Sequence, residues 1–367
     1  MAIPTQTRQT PARPAPPLFS DETSGIKPGR ISRAQHAAIL VGSVVLAAAL
    51  LSLMSALGPF ALFTLGAVVY LASVYVVARA IEGRRHATNR VVTGLVTSFF
   101  LLALTPLLSV IYTVVTRGLA RFDLMFFTYS MRGILGEGGG AYHAIMGTLI
   151  ITGITTLLSV PIGILAAIYL VEYGNRGRLA RALTFFVDVM TGIPSIVAGL
   201  FAVALFTLFL GPGVRMGIIG SVALMVLMIP VVVRSTEEML RLVPNELREA
   251  AYALGVPKWL TITKVVLPTA AAGIGTGITL AIARVIGETA PLLVTVGTTT
   301  GMNLNPFDGR MQTLPVFAYY SYATPGIPRE AFIERMWASV LTLMLIVMTL
   351  NIVARLISKY FAPKTGR

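Results

Sequence analysis

Arg284 and Glu288 stand four residues apart in LAIARVIGETAPLLV, a stretch otherwise free of charge. A charged side chain near the centre of a bilayer costs about 2.5–3.5 kcal/mol on the insertion scale, so its presence requires a reason. The i, i+4 spacing predicts an ion pair on one helix face, turned away from lipid. Gly287 predicts close approach of another helix, and Pro291 a bend. Two roles fit the pair. Arg284 lines a polar pathway and attracts an anion while Glu288 orients it, or the pair is a structural clip between helices. Cation selectivity is disfavoured, because Arg is permanently charged. Arg234, at the end of a preceding apolar run, is a further candidate, although a plain positive flank explains it as well. Glu237 and Arg241 form an i, i+4 pair just beyond it. Glu172 reads as interfacial, and Asp188 as a buried acid with no assigned partner.

Other chemistries are excluded by residue type. With 0 Cys, disulfides, zinc–thiolate sites and thiol catalysis are ruled out. His36, His86 and His143 are far apart near span ends, so neither a nucleophile–base set nor a metal cluster is predicted, and with it no membrane-embedded enzyme. No Gly-Lys dipeptide occurs, so there is no P-loop, and any ATP must be hydrolysed by another chain.

A different kind of work is suggested by residues 248–268, REAAYALGVPKWLTITKVVLP. Leu247, Ala250, Ala251 and Leu254 share one helical face, with Glu246 and Glu249 off that stripe. Gly255 falls where a left-handed C-cap is wanted, and Pro257 suits the first turn of a following short helix. Lying between apolar runs, this segment predicts a compact knob. By spacing alone an ordinary solvated helix–turn–helix is the reading that stands ahead.

The elements that must position these residues are membrane helices. Of the 367 residues 55% are hydrophobic and 12% charged, with mean hydropathy +0.80; soluble chains carry about 25% charged residues. Apolar spans are predicted at 34–57, 59–78, 91–116, 142–171, 183–210, 217–233, 268–297 and 332–357, each close to or above the ~20 residues a crossing requires apart from the short sixth. Residues 1–33, rich in Pro, Thr and Arg, read as a disordered cytoplasmic tail, and no cleavable signal layout is seen. The net charge of +14 comes from short basic clusters between spans, the mark of positive-inside topology and not of nucleic-acid binding. Arg79, Arg84, Arg85, Arg90, Arg176, Arg178, Arg181 and the knob's basic residues fall on one side. Arg117, Arg121, Arg132, Arg215, Arg310, Arg329 and Arg335 fall on the other. Eight crossings, with both termini and the knob in the cytoplasm, follow. The aromatic stretches 122–129 and 311–322 are expected at the outer interface, as anchors or docking surfaces.

The knob resembles the EAA loop of bacterial ABC importer permeases: Glu249-Ala250-Ala251, three residues, Gly255, nine residues, a branched aliphatic, one residue, Leu267-Pro268. Val265 stands where that family usually has Ile. With Gly192–Val197 (GIPSIV), Val231–Leu240 (VVVRSTEEML) and LAIARVIGETAPLL, the chain over roughly 90–360 looks like phosphate-specific ABC transporter permeases, most like the A-type subunits called PstA. The resemblance implies an all-α polytopic membrane protein of the bacterial cell membrane. It would have a type I importer core of six spans at 91–360, with its coupling loop at 244–264, preceded by an extra hairpin at 34–80. It further implies a C-type permease partner, an ATPase dimer carrying the ATP and Mg, and an external phosphate-binding protein, with no cofactor on this chain. By position it assigns the substrate pathway to Arg284, Glu288 and Arg234, and ATPase coupling to Glu246, Leu247, Glu249, Ala250, Ala251, Leu254 and Gly255. Rival expectations are a permease for sulfate or molybdate, and a proton-coupled secondary transporter in which Glu288 relays protons.

Overall fold

A computed structural model describes residues 31–54, 58–174 and 177–361, the side chains of Pro59 and of 357–361 excepted. Every regular element among them is helical. Seven helices are long and apolar enough to cross a bilayer, or eight if one sharply bent pair forms a single span. The tail expected over 1–33 lies, up to residue 30, outside the described residues. Two compact units divide the chain, Met1–Ser109 and Val110–Arg367.

The first unit contains α1 (Arg33–Leu53), α2 (Pro59–Ile81) and most of α3 (Arg84–Gly118). Ser32 begins α1 with a reciprocal capping box: its Oγ accepts from the Gln35 amide at 3.2 Å, and the Ser32 amide donates to Gln35 Oε1 at 2.8 Å. Pro59 stands in the first turn of α2, where its missing N–H costs nothing. The three helices are tied at one end by Glu82. Its carboxylate, nearly buried, accepts from the Ile31 amide at 2.7 Å and from Arg90 Nε and Nη2 at 2.5 and 2.6 Å. The hydrogen bond and charge of Arg90 hold this carboxyl down at about 2, so it stays ionised through the neutral range.

The second unit is built around α8 (Gly217–Arg241), the most enclosed of the spans. Against it pack α5 (Tyr142–Ile168), α7 (Ser195–Leu210), α11 (Leu267–Ile286) and α12 (Ala290–Thr295), burying Ile151, Leu224, Leu227, Met228, Val285 and Leu292 in one core. Lipid gives helices no hydrophobic reason to associate, so close backbone approach and polar clips must hold them. Both are present between α5 and α8. A Cβ on Gly163 would stand 2.7 Å from Val232 Cγ1. Thr155 Oγ1 donates to Ser221 O at 3.3 Å, and Ser221 Oγ to Ile151 O at 3.2 Å.

Two expected spans are broken. The segment 183–210 is two helices, α6 (Arg178–Gly192) and α7, meeting at 113°. Pro194 is the cause: it forces Ile193 into extended backbone (ψ 126°) and ends the preceding helix. The segment 268–297 ends as a helix at Ile286 and restarts at Ala290. Conversely, the short sixth span runs on to Arg241.

At the far end of this unit lie α4 (Leu124–Thr128), α13 (Leu314–Ala323) and the start of α14 (Arg329–Phe361). Of the two aromatic stretches expected at the interface, 311–322 is largely core, whereas in 122–129 only Phe126 is buried. Phe126, Met311, Leu314, Val316 and Phe317 are buried, while Leu124, Tyr129 and Tyr322 remain exposed. Arg335, expected in an outer loop, is inside α14 and buried; its Nη1 donates to the carbonyls of Gly136 and Gly138 at 2.9 and 2.7 Å.

Candidate functional site

The helix carrying Arg284 stops before it can bring Glu288 round to the same face. Gly287 caps α11, the Glu288 amide donates to Val285 O at 3.1 Å, and Pro291 lies in the first turn of α12. The expected i, i+4 ion pair is therefore absent. The spacing rule holds only along a continuous helix, and the helix ends between the two residues. Among the described residues no helix approaches Gly287: a Cβ there would meet nothing within 4 Å. The break is braced instead by α7, where a Cβ on Gly199 would lie 2.7 Å from Pro291 Cα.

Arg284 is exposed on the surface of this chain, and Glu288 is half-buried. Neither side chain has an ion-pair or hydrogen-bond partner among the described residues. A bare guanidinium within a membrane helix cannot face hydrocarbon without a large cost. Water, a polar ligand or another polypeptide must cover that face. Its planar fork of donors suits a tetrahedral or planar oxyanion.

Arg234, on α8, is held quite differently. It forms a close ion pair with Asp188 of α6, and its Nη1 donates to Glu237 Oε2 at 2.9 Å. Glu237, 8% exposed, also accepts from Arg241 Nη2 at 2.5 Å. Two arginines and two carboxylates thus cancel. Asp188, expected to be buried, is 60% exposed at its side chain and finds Arg234 as its partner. The three pathway residues do not converge into one cluster within this chain.

The knob forms as predicted in outline. α9 (Asn245–Ala253) ends at Gly255 with φ +76°, and the amides of Gly255 and Val256 donate to Tyr252 O and Ala251 O at 2.9 and 3.1 Å, the closure of a left-handed C-cap. Pro257 sits just before α10 (Lys258–Thr261) as its N-cap, one residue earlier than expected. A π-helical turn, Ile262–Val266, leads into α11. On the predicted stripe only Ala251 turns inward. Leu247 is 40% and Leu254 83% exposed, and Ala250, Glu246 and Glu249 are exposed too. Leu242, Tyr252 and Trp259 are uncovered as well, so the knob exposes five large apolar side chains together with its two glutamates.

An arginine that sequence reasoning passed over anchors this knob. Arg248 donates to Glu172 Oε1 at 2.8 and 3.1 Å, and to the carbonyls of Leu240 and Val243 at 2.9 and 2.6 Å. Those carbonyls lie at and just past the end of α8, where helical donors run out, so an arginine here acts as a cap. Glu172, taken as interfacial, is 6% exposed at the far end of α5. Lys258 adds a hydrogen bond to Glu172 O and lies 4.7 Å over the Tyr173 ring. The available signal was a basic residue just past a helix C-terminus.

Residues 159–367 match the family described as "Binding-protein-dependent transport system inner membrane component". Over 295 residues the chain is 47% identical to phosphate transport system permease protein PstA 1 of Mycobacterium tuberculosis, covering 80% of this chain and 94% of that one. It is 41% identical over 249 residues to PstA of Pasteurella multocida (67% and 86% covered), and 39% over 281 residues to that of Yersinia pestis (76% and 92%). Among solved structures it aligns with an inward-facing MetNI methionine ABC transporter at TM-score 0.48 and 19% identity, over 61% of this chain and 94% of the other.

Proposed function

Because this chain belongs to the binding-protein-dependent transport system inner membrane component family, we propose that it is the membrane-spanning permease subunit of an ATP-driven phosphate importer. It is a multi-pass membrane protein, and no step of ATP chemistry is assigned to it. The observation that carries the substrate assignment beyond kinship is Arg284: a permanent cation, unpaired among the described residues, at a break in a membrane helix. A desolvated guanidinium offers an oxyanion two parallel hydrogen bonds, and its lack of an internal counter-ion leaves that capacity free.

The pathway forms between this subunit and a homologous C-type permease, which covers the face bearing Arg284 and Glu288. An external binding protein delivers phosphate. On the cytoplasmic side, where both termini lie, a dimeric ATPase with ATP and Mg grips the apolar stripe of Leu247, Ala250 and Leu254, as a helix is held in a groove. Closure of that motor pulls the knob, and Arg248 with Glu172 passes the movement to α8 and α5. Arg234, already neutralised, helps position α6 against α8.

The test is ATP-dependent uptake of labelled phosphate by vesicles holding the assembled complex, with Arg284→Gln beside the wild type and with sulfate and molybdate as competitors. Loss of uptake in the variant, with assembly intact, supports the assignment. Undiminished uptake removes Arg284 from the pathway. Effective competition by sulfate or molybdate moves the substrate to another oxyanion, and uptake without nucleotide would make the protein a secondary transporter.

A further inference from the structure

The first unit lies outside the family match, and it contains a cavity of about 870 Å³ among α1, α2 and α3. That volume falls within the roughly 300–1,000 Å³ of small-molecule sites. Its lining changes along the helices. At one end stand His36 from the start of α1, Glu82 after α2, and His86, Asn89 and Arg90 from the first turns of α3. At the other stand Leu40, Val44, Leu62, Phe63 and Leu101. From His36 to Val44 the helix rises roughly 12 Å, and from Arg90 to Leu101 roughly 16 Å. This is the depth of one leaflet, half of a ~30 Å hydrocarbon core.

The charged groups of the lining itself, Glu82 and Arg90, balance, and the excess positive charge stands just beyond it. Glu82 is consumed by Arg90 and the Ile31 amide. Arg90 Nη1 also lies 3.2 Å from His36 Nε2, which must accept because a guanidinium only donates. Arg33, Arg84 and Arg85 are exposed at the same end, and none has a carboxylate within ion-pair distance among the described residues. Water gains little from the apolar half of such a cavity, where the hydroxyls of Thr97 and Ser98 already donate to the carbonyls of Thr93 and Gly94. A molecule that fits must be apolar over a leaflet's depth and anionic at its head.

We propose that this cavity holds an acyl chain of one anionic phospholipid, its phosphate seated at the end marked by Arg84 and Arg85. The lipid fills the space between the three helices and fixes their spacing. Small residues leave the room for it: a Cβ on Gly66 would come no nearer than 4.0 Å to Ala47.

The experiment uses the full chain in its assembled transporter, placed in phosphatidylcholine nanodiscs with a trace of lipid bearing a photoreactive acyl chain. The probe is phosphatidylglycerol in one arm and phosphatidylcholine in the other. Cross-links on α1–α3 peptides are expected at roughly five-fold or higher yield from phosphatidylglycerol, since each basic residue near an anionic head adds to its binding. Ala67→Trp and, separately, Thr97→Phe, both on the cavity wall, should reduce that yield to background. The paired substitution Arg84→Gln, Arg85→Gln should remove the preference between lipids while leaving the phosphatidylcholine yield unchanged. Equal yields from both lipids in the wild type overturn the proposal. So does full labelling in both filled variants, or displacement of the lipid by excess inorganic phosphate, which would make the site one for the free anion.

Discussion

Arg234 and Arg284 sit on helices that pack against each other, yet their surroundings are opposite. Arg234 is bound by Asp188 and Glu237, and Arg241 completes a neutral set of four. Arg284 has no partner among the described residues and stands where its helix ends. Arg248 belongs with the first kind, its donors committed to Glu172 and to carbonyls at the end of α8. Compensation inside the chain marks an arginine used to hold the fold, whereas a bare one is left for something outside it.

The largest effect should come from breaking the most enclosed compensated pair. Arg248→Ala leaves the nearly buried Glu172 carboxyl without its partner, and removal of one partner of a buried pair costs about 3–5 kcal/mol. A marked fall in the unfolding temperature of the purified protein in detergent is expected. Joint replacement of Arg248 and Glu172 by Met should recover much of it; no recovery would mean that the carbonyl contacts, not the ion pair, dominate.

Arg284→Gln should act on transport and leave stability alone. Losing hydrogen bonds to a charged partner, about 1.5–3 kcal/mol, lowers phosphate uptake roughly ten- to more than a hundred-fold. A comparable fall in thermal stability would erase the distinction between the two arginines. At the knob, Leu247→Asp or Gly255→Trp should uncouple ATP hydrolysis from uptake without preventing membrane insertion. The first charges an exposed apolar contact, and the second forces a side chain into the φ of +76°. Normal transport in either variant would remove the knob as the coupling element.

Arg234→Gln should cost little stability, about 0–1 kcal/mol, because its side chain and that of Asp188 are 35% and 60% exposed and the buried Glu237 keeps Arg241 as a partner. The smallest effect is a pH dependence in the first unit. The Glu82 carboxyl is held at about 2, against its ordinary 4.5. Its contribution to stability is fully present above the ordinary value and is lost as pH falls from there toward 2. Limited proteolysis of the first unit should accordingly be unchanged from pH 8 to 5 and accelerate below; Glu82→Gln should abolish that dependence.

Much of this architecture was legible before any coordinates. Runs of apolar residues near twenty long have one stable state in a bilayer, and Gly255 between a helical stripe and a proline marks a left-handed cap. The breaks were less legible, although their signals were present. Pro194 falls inside the expected span 183–210, and Gly287 and Pro291 inside 268–297, because hydropathy averages over a proline. The Arg284–Glu288 pairing failed for the same reason: it assumed an unbroken helix.

Composition and local pattern alone determined that the chain is helical, that it lies in a membrane, and that it carries a protruding knob with the motif of its family. Those properties depend on backbone hydrogen bonding and on transfer from water, both of which act over a few residues. Which arginine is neutralised and which is bare was decided only in three dimensions. Asp188 and Arg234 are 46 residues apart, and Glu172 and Arg248 are 76 apart. Coulomb attraction depends on distance through space, and helix packing sets that distance.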